Sequence, residues 1–404
     1  MNLTKPKYIR RVSTVVAVLL ALPLQLGIFT GLYMWLSPFA MLNSLFLLKS
    51  MVWLNILGWS ILLVSFFRNR WFCRYMCPVG LGCDSFSKWG KHSRAFVKKI
   101  PRLGRWLALL SLAAALTGIP FFILLDPLSV FNGFFAAFAS DISLAVIVSF
   151  IGLPVLLIIH LFLPGIWCGK LCPLGGLFDE LSTWRKWIAK TLLKKKNIST
   201  EQNVGRRMFI ASGTGLLAGV FIPSLLHAER KQFFRPPASL RGNLFNTLCV
   251  RCGSCIKACP SDIIIHHSGK KNLTAWMTPE ISFENKGYCL EDCNLCGTVC
   301  PTGSISPFTL NAKKKLFIGS INIRLEDCLL SDFKECDRCK SVCSYDAIQI
   351  VASQNIMMKP LADLNKCVGC GACAAVCPTE TISMIPLKKT TSSEEVSQNT
   401  YEFF

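Results

Sequence analysis

Residues 249–260 read Cys249-Val250-Arg251-Cys252-Gly253-Ser254-Cys255-Ile256-Lys257-Ala258-Cys259-Pro260, four cysteines separated by two, two and three residues and closed by a proline. This is the bacterial ferredoxin run, in which three cysteines wrap one [4Fe–4S] cube and the fourth reaches a partner cube. Small residues such as Gly253 let the loop fold around the cube and aim backbone N–H groups at its sulfurs.

Three further runs follow: Cys289, Cys293, Cys296 and Cys300-Pro301; Cys328, Cys336, Cys339 and Cys343, with Ser344 in place of proline; and Cys367, Cys370, Cys373 and Cys377-Pro378. Sixteen ligands make four cubes. A nested arrangement, first run with fourth and second with third, is expected here, although first-with-second pairing uses the same residues. Disulfides are the alternative in an oxidising compartment, but they do not require four repeats of one short spacing. Zinc sites use two separated pairs instead of runs of four. Short β-like pieces at Asp262–His266, Ala347–Val351 and Thr381–Ile385 suit a small α+β unit with two ferredoxin-like parts. Lys270–Glu284 and Asn311–Arg324 read as insertions. The tail, residues 391–404, is Ser/Thr/Glu-rich from about Lys388 onward and is expected to be disordered.

The preceding half is different. Of 404 residues, 52% are hydrophobic and 17% charged, with a mean hydropathy of +0.44, against about 25% charge in soluble domains. Apolar stretches at about 12–32, 50–67, 106–125, 142–164 and 208–226 each approach the ~20 residues that cross a bilayer core. Residues 1–226 hold 24 Lys+Arg against 6 Asp+Glu, the remainder 20 against 17. The basic excess collects in loops beside the apolar stretches, so it reads as membrane orientation and not as nucleic-acid binding. The expectation is a bacterial inner-membrane, multi-pass protein with its C-terminal half in the periplasm. Val204-Gly205-Arg206-Arg207-Met208-Phe209-Ile210, before the fifth stretch, resembles a twin-arginine export signal. A plain pair of stop-transfer arginines gives the same topology.

A shift of 95 residues lays Cys73, Cys77-Pro78 and Gly80 over Cys168, Cys172-Pro173 and Gly175, and Asp84 over Asp179. The apolar half is therefore two repeated transmembrane hairpins, 1–200, plus a fifth transmembrane helix, 204–226, ahead of the polyferredoxin domain, 227–390. Cys73, Cys77, Cys168 and Cys172 number the four thiolates that a fifth [4Fe–4S] cluster needs. Two pairs of inert buried cysteines are the other reading. Cys83 aligns with Phe178 and reads as a spare thiol. His160 reads as a hydrogen-bonded core residue, with proton acceptance near a quinone as its one weak catalytic alternative. His266 and His267 read as surface residues of the outer domain.

The composition also excludes. Five histidines and no C-x-x-C-H remove multihaem cytochromes, and no dinucleotide-binding or P-loop glycine pattern occurs.

Residues 1–200, with their two C-x-x-x-C-P motifs, resemble the NapH-type membrane ferredoxin family. Residues 204–390 resemble the NapG/MauM-type exported polyferredoxins, and the chain resembles a fusion of the two. The cytoplasmic ferredoxin motifs that typically end a NapH-type protein are absent. The resemblance implies a quinol dehydrogenase subunit of anaerobic respiration. It would pass electrons from menaquinol in the quinone pool through the cubes to a periplasmic oxidoreductase or cytochrome. Three alternatives stand beside it: reverse flow from a periplasmic dehydrogenase, transfer from a cytoplasmic donor, and a redox assembly factor for a partner metalloenzyme.

Overall fold

The computed structural model describes residues 5–24, 27–49, 52–90, 97, 99–120, 122–192, 213–215, 217, 233–269, 273–352 and 358–386. The Arg206-Arg207 motif, almost all of the expected fifth span and the 391–404 tail lie outside them.

The first half is helical: α1 (Lys5–Ala21), α2 (Leu32–Trp35), α3 (Pro38–Leu48), α4 (Ile56–Phe67), α5 (Trp71–Tyr75), α6 (Pro78–Trp89), α7 (Leu103–Leu116), α8 (Pro127–Ala136), α9 (Leu144–Phe162) and α10 (Pro173–Leu192). Among the described residues the expected hairpins are built largely from shorter helices. Among the described residues, α9 alone is long and apolar enough to cross a membrane, or two spans qualify if the bent pair Gly27–Trp35 and Pro38–Leu48 counts as one. The 12–32 stretch is split because Pro23, two residues past the end of α1, has no N–H to continue a helix. The 106–125 stretch stops at Thr117, ahead of Gly118, whose φ is +111°, and Pro120. Each repeat is thus a helix, a break, a short helix entering at an angle, a second long helix, the cysteine motif and a closing helix.

The short helices α3 and α8 share a register that the 95-residue shift hides. Shifted by 89, Leu36-Ser37-Pro38 and Asn43 fall on Leu125-Asp126-Pro127 and Asn132. In both, a proline supplies the first helical residue, where its missing N–H costs nothing. The tips meet, with Asp126 beside Ser37 and both almost completely buried.

Among the described residues, the second half contains three two-stranded antiparallel sheets: β1 (Ile264–His266) with β2 (Pro279–Ile281), β3 (Ser320–Ile323) with β6 (Ile382–Ile385), and β4 (Ile348–Ala352) with β5 (Met358–Ala362). β2 and β3 come from the two segments read as insertions. They are the pairing partners of the first and last expected strands, and at three and four residues they are too short to show a period.

The halves are joined by buried hydrogen bonds and not by apolar contact alone. Ser44 Oγ donates to Thr302 O (2.6 Å), Ser129 Oγ to Val250 O, and Asn132 Nδ2 to Cys252 O (2.8 Å). The Lys257 ammonium, 2% exposed, donates to Asn132 Oδ1 (2.6 Å) and Ala21 O (2.8 Å). Val250 and Cys252 share one hydrophobic core with Cys77, Cys83 and Cys172.

Replacing Lys257 by Met leaves Asn132 Oδ1 and Ala21 O buried without a donor, which costs on the order of 1–3 kcal/mol. Hydrogen exchange should then rise at Val250–Lys257 and α8 together, while the β4–β5 hairpin stays protected.

Candidate iron–sulfur sites

All twenty-one cysteines are unbridged. The four runs gather into four groups, and the nested pairing is not what forms. Cys300 acts electrostatically on Cys249, Cys252 and Cys255, and Cys259 acts on Cys289 and Cys296. The first run therefore interlocks with the second. Cys343 acts on Cys367, Cys370 and Cys373, while Cys377 lines a cleft with Arg338, Ser341 and Val342 beside Cys339. The third run interlocks with the fourth. Interlock within neighbouring runs follows from chain length, since short loops close with less entropy than long ones.

The groups form a row. Group one (Cys249, Cys252, Cys255, Cys300) lies against α8, where a Cβ on Gly253 would approach the Ala136 Cβ to 2.2 Å. Group two is Cys259, Cys289, Cys293 and Cys296. Its Cys289 N–H donates to Cys370 O (2.9 Å), which joins it to group three, Cys343, Cys367, Cys370 and Cys373. Group four (Cys328, Cys336, Cys339, Cys377) lies beyond, among exposed residues such as Phe333.

The loops fit a cube. Two residues after the first cysteine and again four after, the backbone turns left-handed: Arg251 and Gly253 in the first run, Gly369 and Gly371 in the fourth. Arg251, the non-glycine of the four, is held there by its guanidinium, which donates to Trp276 O (2.6 Å) and Thr274 O (3.0 Å). Backbone N–H groups reach sulfur from Ile305 to Cys300 (3.4 Å) and from Ala347 to Cys343 (3.3 Å). Hydroxyls add to these at equivalent places: Ser304 lies 3.3 Å from Cys300 Sγ, and Thr381 3.3 Å from Cys377 Sγ. Burial opposes ionisation at Cys377, but the Thr381 and Thr379 hydroxyls outweigh it and bring the thiol down to about 7. A lysine is buried beside each of the first two groups. Burial lowers Lys257 to about 8, and Lys313 donates to Leu290 O and Cys293 O. These cations offset the negative charge of thiolate-bound cubes.

Spacing alone does not show the roles of Lys257 and Lys313. A lysine inside the first run, where a soluble loop would expose it, is the available signal. His266 and His267 are 3% and 6% exposed instead of lying on the surface. His267 Nδ1 sits 2.9 Å from Glu280 Oε2, and His266 lines the group-one cavity.

In the helical half, Gly80 and Gly175 hold equivalent places after the two motifs. A Cβ at either would come within 2.8 and 3.1 Å of the Cys73 and Cys168 carbonyl oxygens. Arg10 and Arg105, equivalent at the 95-residue shift, brace the closing helices through Asp84 (2.5 Å) and Glu180 (2.9 Å). Arg70 grips both Asp179 oxygens at 2.7 Å and donates to Cys168 O (3.0 Å). In sequence these arginines read as topology signals, and in the fold they also clamp the motifs. Cys73, Cys77, Cys168 and Cys172 come together, each near enough to act on others of the set. Cys83 and His160 join them beside Cys168, one ligand atom of each lying within 4.8 Å of the others.

Burial pushes the His266 imidazole down to about 4, so it is neutral in the folded protein. A depressed base takes up a proton more readily when unfolded, so stability is lost as pH falls from about 6.5 towards 4. The loss is on the order of 3 kcal/mol over that window. Thermal unfolding should show a shallower loss between pH 6.5 and 5 in His266→Phe than in the wild type.

Known proteins support the same chemistry. Residues 50–96 and 145–192 match a family described as 4Fe-4S binding domain, which covers both C-x-x-x-C-P motifs. A second family of that description matches 245–265, and one described as 4Fe-4S dicluster domain matches 334–381. The methylamine utilization ferredoxin-type protein MauM of Methylophilus methylotrophus is 30% identical over 192 residues, 44% of this chain and 81% of that protein. The ferredoxin-type protein NapF of Escherichia coli K12 is 33% identical over 174 residues, 43% of this chain and 93% of its own. The ferredoxin-type protein NapG of Haemophilus influenzae is 28% identical over 215 residues, 48% and 76%. No solved structure matches. The chain, an iron–sulfur electron-transfer protein with [4Fe–4S] binding domains, belongs to the family of these ferredoxin-type proteins.

Proposed function

We propose that this protein is a membrane-anchored wire that oxidises quinol and passes single electrons through five [4Fe–4S] clusters to a partner oxidoreductase in the periplasm. The observation that carries the reading is the row of thiol groups, continuous from the helical half to the far end of the outer half. Four cubes are assigned to the outer groups one to four and a fifth to Cys73, Cys77, Cys168 and Cys172.

Membrane anchoring rests on the surface of α9. Leu144, Phe150, Ile151, Val155, Ile158 and Phe162 are all more than 40% exposed, and 33% of its apolar window is buried. A core helix of a water-soluble protein hides such a surface, whereas lipid accepts it.

The difficulty for a transmembrane wire is ~30 Å of hydrocarbon between the membrane faces. The angled helices shorten that gap. Asp126, at the start of α8, acts electrostatically on Cys77, while Asn132 of the same helix donates to Cys252 O. Six residues of helix rise only about 9 Å. A cube held by these four cysteines would thus lie deep, under group one. Tyr33 reaches the same place, its hydroxyl donating to Met76 O. Quinol would give up electrons to the deep cube and protons to the adjacent aqueous face. Group four, with Arg338 and Lys340 at its edge, would be the exit.

Two measurements test this. Anaerobic purification should give about 20 Fe per chain for five cubes, against about 16 if the helical half holds none. Oxidised protein mixed with a menaquinol analogue should bleach its cluster absorbance, and Cys73→Ser/Cys168→Ser should abolish bleaching while dithionite still reduces the outer cubes. Bleaching that survives the double change places quinol oxidation elsewhere.

A further inference from the structure

Among the places where the two repeats of the helical half differ, one lies beside the cysteine motifs. Around Cys73 the neighbours set by the 95-residue shift are Ser65 and Phe178; around Cys168 they are His160 and Cys83. One side of the pseudo-two-fold is therefore closed by a phenyl ring and a hydroxyl, and the other presents two further metal donors. One ligand atom each from Cys83, His160 and Cys168 lies within 4.8 Å of the others. They arrive from α6, α9 and the turn before α10, so no local sequence pattern requires their meeting.

The imidazole is set as a ligand. His160 is 1% exposed, and its Nδ1 lies 2.9 Å from Leu156 O, one turn earlier in α9. A carbonyl oxygen only accepts, so Nδ1 carries the proton and Nε2 keeps its lone pair. That Nε2 is buried, has no nitrogen or oxygen partner, and faces the Cys168 sulfur. An imidazole fixed through one nitrogen to a backbone carbonyl, with the other free, is the arrangement that orients metal-bound histidines.

We propose that Cys83, His160 and Cys168 bind one zinc ion, with the Cys168 thiolate bridging to the neighbouring cube. Two sulfurs and one imidazole nitrogen, with no carboxylate in the set, suit a thiophilic ion and disfavour magnesium or calcium. A divalent ion cancels the charge of two thiolates in a site where uncompensated charge is costly. Among divalent ions zinc has no geometric preference from its d-electrons, so it tolerates the fixed positions that three helical segments impose. The site rests on the cluster assignment only through the shared Cys168, because Cys83 and His160 are not among the residues assigned to the fifth cube.

The test is metal analysis of the full-length protein, purified anaerobically from zinc-supplemented cells. The wild type should hold about one zinc per chain. Cys83→Ser and His160→Gln should each lower zinc at least fivefold and leave iron unchanged, which also reports intact folding of the outer half. His160→Cys, which restores a soft donor, should keep the zinc. Cys73→Ser should lower iron and retain zinc, so that failure of the fifth cube is distinguishable from failure of this site. Wild-type protein without zinc overturns the proposal, and so does zinc unchanged in both variants. Loss of about four iron atoms in Cys83→Ser with zinc unaltered also overturns it, because these side chains would then serve the cube alone.

Discussion

Everything in this molecule depends on satisfying the backbone of the first cysteine loop where it meets apolar helices. A loop that wraps a cube points N–H groups inward and leaves carbonyl oxygens outward. In water those oxygens find partners without help; against α8 they need donors. Ser129 and Asn132 provide them for Val250 and Cys252, and Ser44 provides one for Thr302. Without them the interface would bury unsatisfied carbonyls. The short angled helices therefore carry polar residues in mid-chain, unlike the lipid-facing surface of α9. The same donors fix the distance between the inner and outer thiol groups.

Charge is managed by the same logic. Thiolates gathered in a low-dielectric interior repel one another and resist ionisation, as the upward displacement of Cys252, Cys255 and Cys296 by burial shows. The protein answers with buried cations (Lys257 and Lys313) and with hydroxyls at the second and fourth residues after Cys300 and Cys377. At Cys343 the equivalent places hold Tyr345 and Ala347, and the Ala347 N–H donates to the sulfur.

The sixteen outer cysteines and the two C-x-x-x-C-P motifs were legible because ligand chemistry imposes spacing on sequence. The apolar stretches were legible as stretches, but their ends were not. Pro23, Gly118 and Pro120 break them at points where only a three-dimensional partner decides the direction of the next helix. Strands β2 and β3 went unread because three or four residues carry no period. His160 is the buried, hydrogen-bonded residue that was expected, but its meeting with Cys83 at Cys168 was not legible: the two lie 77 residues apart and differ from their counterparts in the repeat. Their only trace was that asymmetry, which a search for similarity discards. The buried positions of His266 and His267 were illegible because Glu280 and the Met277 carbonyl, which receive them, lie on or beside a strand that was itself unread.

The interlock of neighbouring runs also bears on how the chain is built. Every thiol of groups one and two lies between Cys249 and Cys300, and every thiol of groups three and four between Cys328 and Cys377. The first pair of cubes can be loaded, and its loops closed, before the second pair has left the ribosome. A nested arrangement would have held the first loop open until residue 377 was made, with thiols exposed to oxidation or to the wrong metal. Pairing by neighbours permits vectorial maturation, beginning with the group that docks on the helices.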